Sequence, residues 1–287
     1  MKKYKIKSFC KINLTLNIIK KLSNGYHIIR SIITFSNLHD LLTLYEIKAQ
    51  KDKVVFTGRY KNNINFKSNT ITKLLFLLRE ESYLKKKSFY IGVKKNIPHG
   101  SGLGGGSSNA AVLLNFLVKK MNLKIKKNKI YQIANKIGSD VPISLEKKNT
   151  YLYGEKNKIV RINKKFRLNL LIVYPNIICS TKSVYKKNRK FTSNKVKFNF
   201  LKFNRKKFLN FLLDGNNDLE QVVTKHYPKV KKLINFIKSQ NGCYFSRITG
   251  SGSACIGIFS NVKTANYTKK LIQSKFPKYW CLVSKTI

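Results

Sequence analysis

Five of the chain's 15 glycines fall between Gly100 and Gly106, and no other stretch constrains the backbone so tightly. The apolar run Ser88 to Val93 precedes it and reads as a strand. Ala110, Ala111, Leu113, Leu114, Leu117 and Val118 follow at helical spacing. The glycines therefore join a strand to a helix N-terminus. Glycine permits positive φ and close backbone approach. A helix start offers unbonded N–H groups and a partial positive charge. Together these make a cradle for an anion, most naturally phosphate. The plainer reading is a flexible linker, but a strand and an alanine-rich helix flank the glycines too closely for that.

Three glycine loops share this outline. Gly100 to Gly105 satisfies G-x-G-x-x-G, yet the dinucleotide fold also needs an acidic residue about 20 positions on for the ribose. No Asp or Glu occurs between Glu81 and Asp140. The P-loop needs Gly-Lys-Ser/Thr, whereas Gly106 is followed by Ser107 and Ser108. Protein kinases need His-Arg-Asp and Asp-Phe-Gly, and neither tripeptide is present.

The formal net charge of +48 points first to nucleic acid or anionic membrane. Lysine, however, is spread through every segment, arginine is scarce, and Ile, Asn, Phe and Tyr are abundant. These are residues of A/T-rich codons, so compositional drift accounts for the charge, and no nucleic-acid motif accompanies it. A basic nucleic-acid-binding protein remains the alternative from another class; it requires tight, sequence-independent binding that survives physiological salt. No apolar run approaches the 18 residues of a membrane span. Lys11, Asn13, Lys20 and Lys21 break any signal-peptide core. Cys10, Cys179, Cys243, Cys255 and Cys281 are scattered without a Cys-x-x-Cys, which suits reduced thiols in a cytoplasmic protein.

Along the chain, residues 8 to 19 alternate as one half-buried strand, with Lys11 and Asn13 together on its polar face. On periodicity alone Lys11 is one solvent-facing lysine among dozens. Asn24-Gly25 marks a turn into a strand from Ile28 to Phe35. Further strands follow at Leu41 to Ile47 and Val54 to Thr57. Ser68-Asn69 caps a helix through Glu81, and Asn128 to Ile137 is another, ended by Gly138. Asp140 is the only carboxylate between Glu81 and Glu146, and before Val141-Pro142 it suits a helix N-cap. Two short strands fill residues 149 to 162, and a composition shift there marks a second domain. Its strand Leu168 to Tyr174 is followed by a basic, Asn-rich run from Lys186 to Lys207, read as a solvated loop. Asn216 to Glu220 begins a helix, Tyr227 to Ser239 is another, and a second glycine loop, Thr249 to Cys255, joins two strands. A helix (Thr264 to Ser274) and a strand (Trp280 to Ser284) close the chain.

Pro98-His99-Gly100-Ser101-Gly102-Leu103-Gly104-Gly105-Gly106-Ser107-Ser108-Asn109-Ala110-Ala111 resembles the phosphate loop of the GHMP small-molecule kinases. Other segments match that family in its order. Cys10 to Leu14 stands for Ala-Lys-x-Asn-Leu, and Asn24 to His27 for Asp-Gly-Tyr-His. Gly138 to Pro142 stands for Gly-Ala-Asp-Val-Pro, Ser180 to Tyr185 for Ser/Thr-x-x-Val-aromatic, and Asn217 to Glu220 for Asn-Asp-Leu-Glu. Thr249 to Cys255 resembles the third GHMP motif. Leu152 departs from the pattern, standing where the first glycine of a Gly-x-Gly-Glu turn is expected.

The resemblance implies an α+β, two-domain fold. An N-terminal, ribosomal-protein-like βα domain (1–150) would bind ATP. A C-terminal α/β sandwich domain (151–287) would bind substrate, and the active site would lie in the cleft between them. It implies ATP and Mg2+ as cofactors, with Pro98, Gly100 to Ser108 and Asn69 at the nucleotide and Ser107 or Ser108 touching magnesium. Asp140 would be the catalytic base, and Lys11 would lie near the acceptor hydroxyl. Asn13, Tyr26, His27, Thr181, Tyr185, Gly250 and Ser251 would bind substrate. Gly-Tyr-His and the triple glycine favour a small molecule carrying a cytidine diphosphate group, phosphorylated on its 2-hydroxyl in non-mevalonate isoprenoid synthesis. Tyr26 would stack on the cytosine, His27 would bond its edge, and Tyr185 would close over it; a surface helix tyrosine is an equal reading for Tyr185. Homoserine, mevalonate or a sugar is the alternative acceptor. The expected partners exclude specific nucleic acid and membrane, and the expected state is a monomer or weak homodimer.

Overall fold

The computed structural model describes residues 2–62, 64–154, 158–193 and 204–287. In chain order the N-terminal elements are β1 (Tyr4–Asn13), β2 (Asn17–Lys21), β3 (His27–Ile47), β4 (Lys53–Thr57), α1 (Thr70–Glu80), β5 (Ser88–Lys94), α2 (Gly105–Lys120), α3 (Lys127–Ile137) and α4 (Val141–Ser144). There follow β6 (Asn149–Tyr153), β7 (Lys158–Ile162), β8 (Asn169–Tyr174), α5 (Thr181–Lys187), α6 (Arg205–Asp214) and α7 (Glu220–His226). The last are α8 (Pro228–Lys238), β9 (Cys243–Ile248), β10 (Cys255–Phe259), α9 (Val262–Lys275) and β11 (Trp280–Lys285).

Two compact units result. One holds Met1–Lys11, Leu38–His99 and Gly104–Lys147; the other holds Ile12–Asn37, Gly100–Leu103 and Lys148–Ile287. A single division at residue 150 separates residues 12–37 and 100–103 from the unit they pack with. One division, between Asn37 and Leu38, falls inside β3, a single strand of 21 residues where two were expected. Ser36 to Asp40 contains no glycine or proline to turn the chain, and its burial alternates as a strand's does.

In the first unit β5 pairs antiparallel with the later part of β3 and parallel with β4, so Ile91 lies opposite both Leu44 and Val54. Helix α1 repeats apolar residues at helical spacing, and Ile71, Leu74, Leu75 and Leu78 are buried. They join Phe56, Phe89, Ile91, Leu114 and Ile133 in one core. Each such buried leucine contributes roughly 1.5–3 kcal/mol relative to an exposed one.

In the second unit β2 pairs with β3 around Ile28 to Arg30, and β6 pairs with Ser31 to Ile33. A four-stranded antiparallel sheet has the order β11-β8-β10-β9. Helices α8 and α9 pack on it, burying Leu171, Val173, Ile237, Ile248 and Ile272. All five cysteines are free thiols. Burial pushes Cys179 and Cys243 up to about 11, which keeps both protonated and unreactive.

Three local expectations change. The expected strand 8–19 breaks after Asn13, because Leu14 N–H donates to Ile32 O (2.8 Å) and Leu16 N–H to Asn216 O (2.9 Å). Its polar face is not solvated either: Lys11, Asn13 and Thr15 are only 4%, 3% and 4% exposed. The basic run yields to helix α6, where Asn204 Oδ1 caps Lys207 N–H at 2.9 Å and Phe208 and Leu212 are buried. Residues 194–203 of that run, and 155–157 of the expected turn with Glu155, lie outside the described residues.

Candidate active site

Strand β5 ends at Lys94 and helix α2 begins at Gly105, so the glycine stretch is the strand-to-helix connection that its flanks imply. Gly104 is the N-cap, in the left-handed region with φ 65°. Ser108 N–H donates to Gly104 O at 2.9 Å, the first bond of the helix. Gly105, Gly106 and Ser107 are left with N–H groups that have no acceptor inside the helix. Ser108 is buried and its hydroxyl donates to Ser144 Oγ at 3.3 Å, which leaves Ser107 as the more accessible hydroxyl. Gly106 is exposed, and a Cβ there would meet only Thr70 at 3.4 Å. Backbone donors at a positive helix end, with no side chain filling the space, fit a nucleotide phosphate.

Sequence had not singled out Thr70. Its hydroxyl donates to Gly106 O at 2.7 Å and ties the start of α1 to this turn. Asn69 beside it is fully engaged as a cap. Its Oδ1 accepts from Ile71 and Thr72 N–H, and its amide donates to Asn65 O and Phe66 O. The side chain expected beside the nucleotide holds the start of α1.

Lys11 Nζ lies 3.2 Å from Asp140 Oδ2, with the lysine buried and the aspartate about a third exposed. Gly104 makes room for the lysine stem, since a Cβ there would lie 2.6 Å from Lys11 Cγ. Asp140 does occupy the N-cap of α4, as expected. Its side chain nevertheless makes no capping bond, because its backbone is already helical (φ −86°, ψ −12°). The carboxylate is thus directed to the lysine and not to the helix. Gly138 closes α3 in extended backbone (φ 173°), so no left-handed cap is involved.

In the second unit the two glycine loops meet. Ala254 N–H donates to Ser101 O at 3.0 Å. Asn13 donates its backbone N–H to Thr249 Oγ1 and its amide to Ser31 Oγ, each at 2.8 Å. Thr181 Oγ1 and Ser251 Oγ are 2.9 Å apart, and Gly250 O accepts from Asn217 Nδ2 at 2.8 Å. Pro98, Ser101 and Leu103 are buried. Asp218, in the segment expected to begin a helix, is buried and accepts Ile18 N–H and the Thr192 hydroxyl, both at 2.7 Å, while Asn217 Oδ1 accepts Leu219 N–H at 3.1 Å.

The hairpin between β2 and β3 presents Tyr26, 70% exposed. Asn24 Oδ1 accepts Tyr26 N–H at 3.0 Å, the turn bond an aspartate would also make. The His27 and Tyr185 rings are 5.3 Å apart and tilted by 48°. Tyr185 is half-buried on α5. Burial, and secondarily the Lys21 charge, lowers the His27 pKa, so its imidazole is neutral at pH 7.

Among the described residues no group of three or more His, Cys, Asp or Glu is placed to hold a metal ion. No described helix is long and apolar enough to cross a membrane.

The profile for the GHMP kinases N terminal domain matches residues 69–148, and that for the GHMP kinases C terminal matches residues 200–276. A 4-diphosphocytidyl-2-C-methyl-D-erythritol kinase of Pelagibacter ubique is 40% identical over 288 residues, covering all of both chains. A crystal structure of 4-(cytidine 5'-diphospho)-2C-methyl-D-erythritol kinase superposes with a TM-score of 0.77 at 21% identity, covering 99% of this chain and 100% of that one. A homoserine kinase from Cytophaga hutchinsonii reaches 0.74 at 12% identity, covering 100% of this chain and 95% of its own. Fold alone therefore does not choose the acceptor.

Proposed function

Because the chain belongs to the 4-diphosphocytidyl-2-C-methyl-D-erythritol kinase family of GHMP kinases, we propose that it transfers the terminal phosphoryl group of ATP to the 2-hydroxyl of 4-diphosphocytidyl-2-C-methyl-D-erythritol, in non-mevalonate isoprenoid synthesis. The observation that carries the mechanism is the Lys11–Asp140 pair at 3.2 Å, its lysine stem against Gly104.

Phosphoryl transfer needs positioning and charge stabilisation more than covalent help. In this reading the N–H groups of Gly105, Gly106 and Ser107 hold phosphate oxygens at the positive end of α2. Asp140 accepts the proton of the acceptor hydroxyl. Lys11 orients that carboxylate and the hydroxyl, and offsets charge that builds in transfer. Ser107, the more accessible of the two serine hydroxyls at this helix start, would hold a magnesium ion bound with ATP, which would supply charge neutralisation to the phosphates. Tyr26, His27 and Tyr185 take the cytosine, and Thr181 and Ser251 form the adjoining polar wall. The same reading makes the protein a cytoplasmic monomer or weak homodimer without a specific nucleic-acid partner.

ADP release from magnesium-ATP tests it, with the cytidyl substrate beside mevalonate and homoserine. Release with the cytidyl compound alone is expected; release with another acceptor alone would reassign the pocket. His27→Ala should raise KM for the cytidyl substrate about tenfold, the worth of one hydrogen bond, with kcat little changed. Because the pKa of His27 is lowered, the wild-type KM should stay flat from pH 8 to 7 and rise only on acidification below the ordinary histidine range. An unchanged KM in the variant would remove His27 from the cytosine site.

A further inference from the structure

Asp40 sits on β3 at the point where pairing with β5 ends, one residue before the Leu41–Lys94 pair. It is 0% exposed. Its carboxylate is surrounded by donors from both sides of the glycine loop. Asn96 N–H and Ile97 N–H donate to Oδ1 at 2.7 and 2.9 Å. Asn109 Nδ2, from α2, donates to Oδ2 at 2.9 Å, and Lys95 Nζ bonds the same oxygen. The other end of the Asn109 amide, Oδ1, is buried with no hydrogen-bond partner among the described residues, so the bond to Asp40 is what fixes that side chain. Lys95 Nζ lies 3.2 Å from where a Cβ on Gly105 would stand. A cation beside a helix N-terminus opposes the helix dipole, and the Asp40 charge offsets it there.

We propose that Asp40 is the positioning residue of the phosphate loop, fixing from a rigid strand both the chain that enters the loop and the helix that leaves it. Asn96 and Ile97 are the last residues before Pro98, and Asn109 follows the free N–H groups by little more than half a turn. One carboxylate thereby sets the spacing across which phosphate must fit. A buried ion pair by itself adds little stability, and a lysine partner alone would not require the two backbone bonds and the amide bond. Asp40 touches no reacting atom in this account. It acts through Asn96, Ile97 and Asn109, and the proposal rests on the reading of the loop as an ATP cradle.

Direct titration of ATP and, separately, of the cytidyl substrate tests it on the full chain. Wild type must bind ATP; failure there would overturn the cradle reading itself. Asp40→Asn should raise the Kd for ATP at least tenfold while the Kd for the cytidyl substrate moves less than twofold. Asn109→Ala, which leaves the ion pair in place, should raise the ATP Kd about fivefold with the same selectivity. If Asp40→Asn does not fold, Asn109→Ala decides alone. A general structural role would weaken both ligands together or lower only the melting temperature. Either result, or an ATP Kd unchanged in Asn109→Ala, would overturn the proposal.

Discussion

Asp140→Asn is expected to lower kcat by 10²- to 10⁴-fold while ATP affinity stays near wild type. The range is that of a positioned general base, roughly 3–5 kcal/mol of barrier. Asparagine keeps the volume and suits the same helical backbone. The wild-type side chain makes no capping bond to lose, so α4 should persist. What disappears is the proton acceptor and the charge facing the buried Lys11 ammonium 3.2 Å away. Single-turnover kinetics with saturating magnesium-ATP would isolate the chemical step. A loss below about tenfold would mean that positioning alone drives the transfer and that Asp140 only orients Lys11. A loss of ATP binding would instead mean that the pair shapes the loop through Gly104, against which the lysine stem lies.

What the sequence revealed of this site follows from how local each constraint is. The glycine loop was legible because its demands fall on consecutive residues: a strand, positive φ at a cap, then a helix start. The role of Asn69 as a cap was legible for the same reason, and four local bonds saturate its amide. Lys11 was different. Alternation placed it on a polar face that ought to be wet, and only tertiary packing leaves it 4% exposed; the family motif, not the pattern, marked it. Asp40 was invisible, since its donors at Asn96, Ile97 and Asn109 are far along the chain. Its one local sign is a carboxylate inside an apolar strand. The continuous β3 had a usable signal in the missing turn residues between Ser36 and Asp40. Helix α6 had one too, in Phe208 and Leu212 at helical spacing, masked by the lysines beside them.

Gly102→Ala should abolish detectable ATP binding, whereas Gly154→Ala should cost only stability. The two glycines have nearly the same backbone, φ 84° and 77°, so a left-handed alanine strains each by about 1–2 kcal/mol. Their surroundings differ. Among the described residues a Cβ on Gly154 meets nothing within 4 Å, while one on Gly102 would stand 2.1 Å from Thr249 O and 3.0 Å from Gly252 N. Those are backbone atoms of the second glycine loop, which cannot swing aside as a side-chain tip can. Gly102 must then retreat, and the adjacent Ala254–Ser101 bond of 3.0 Å goes with it. Two residues later the chain enters the cap of α2 at Gly104, so the retreat is delivered to the N–H groups of Gly105, Gly106 and Ser107. Calorimetric titration with ATP, alongside thermal unfolding of both variants, separates strain from collision. If both variants lost stability alike and bound ATP alike, the close approach of the two glycine loops would have no part in forming the cradle.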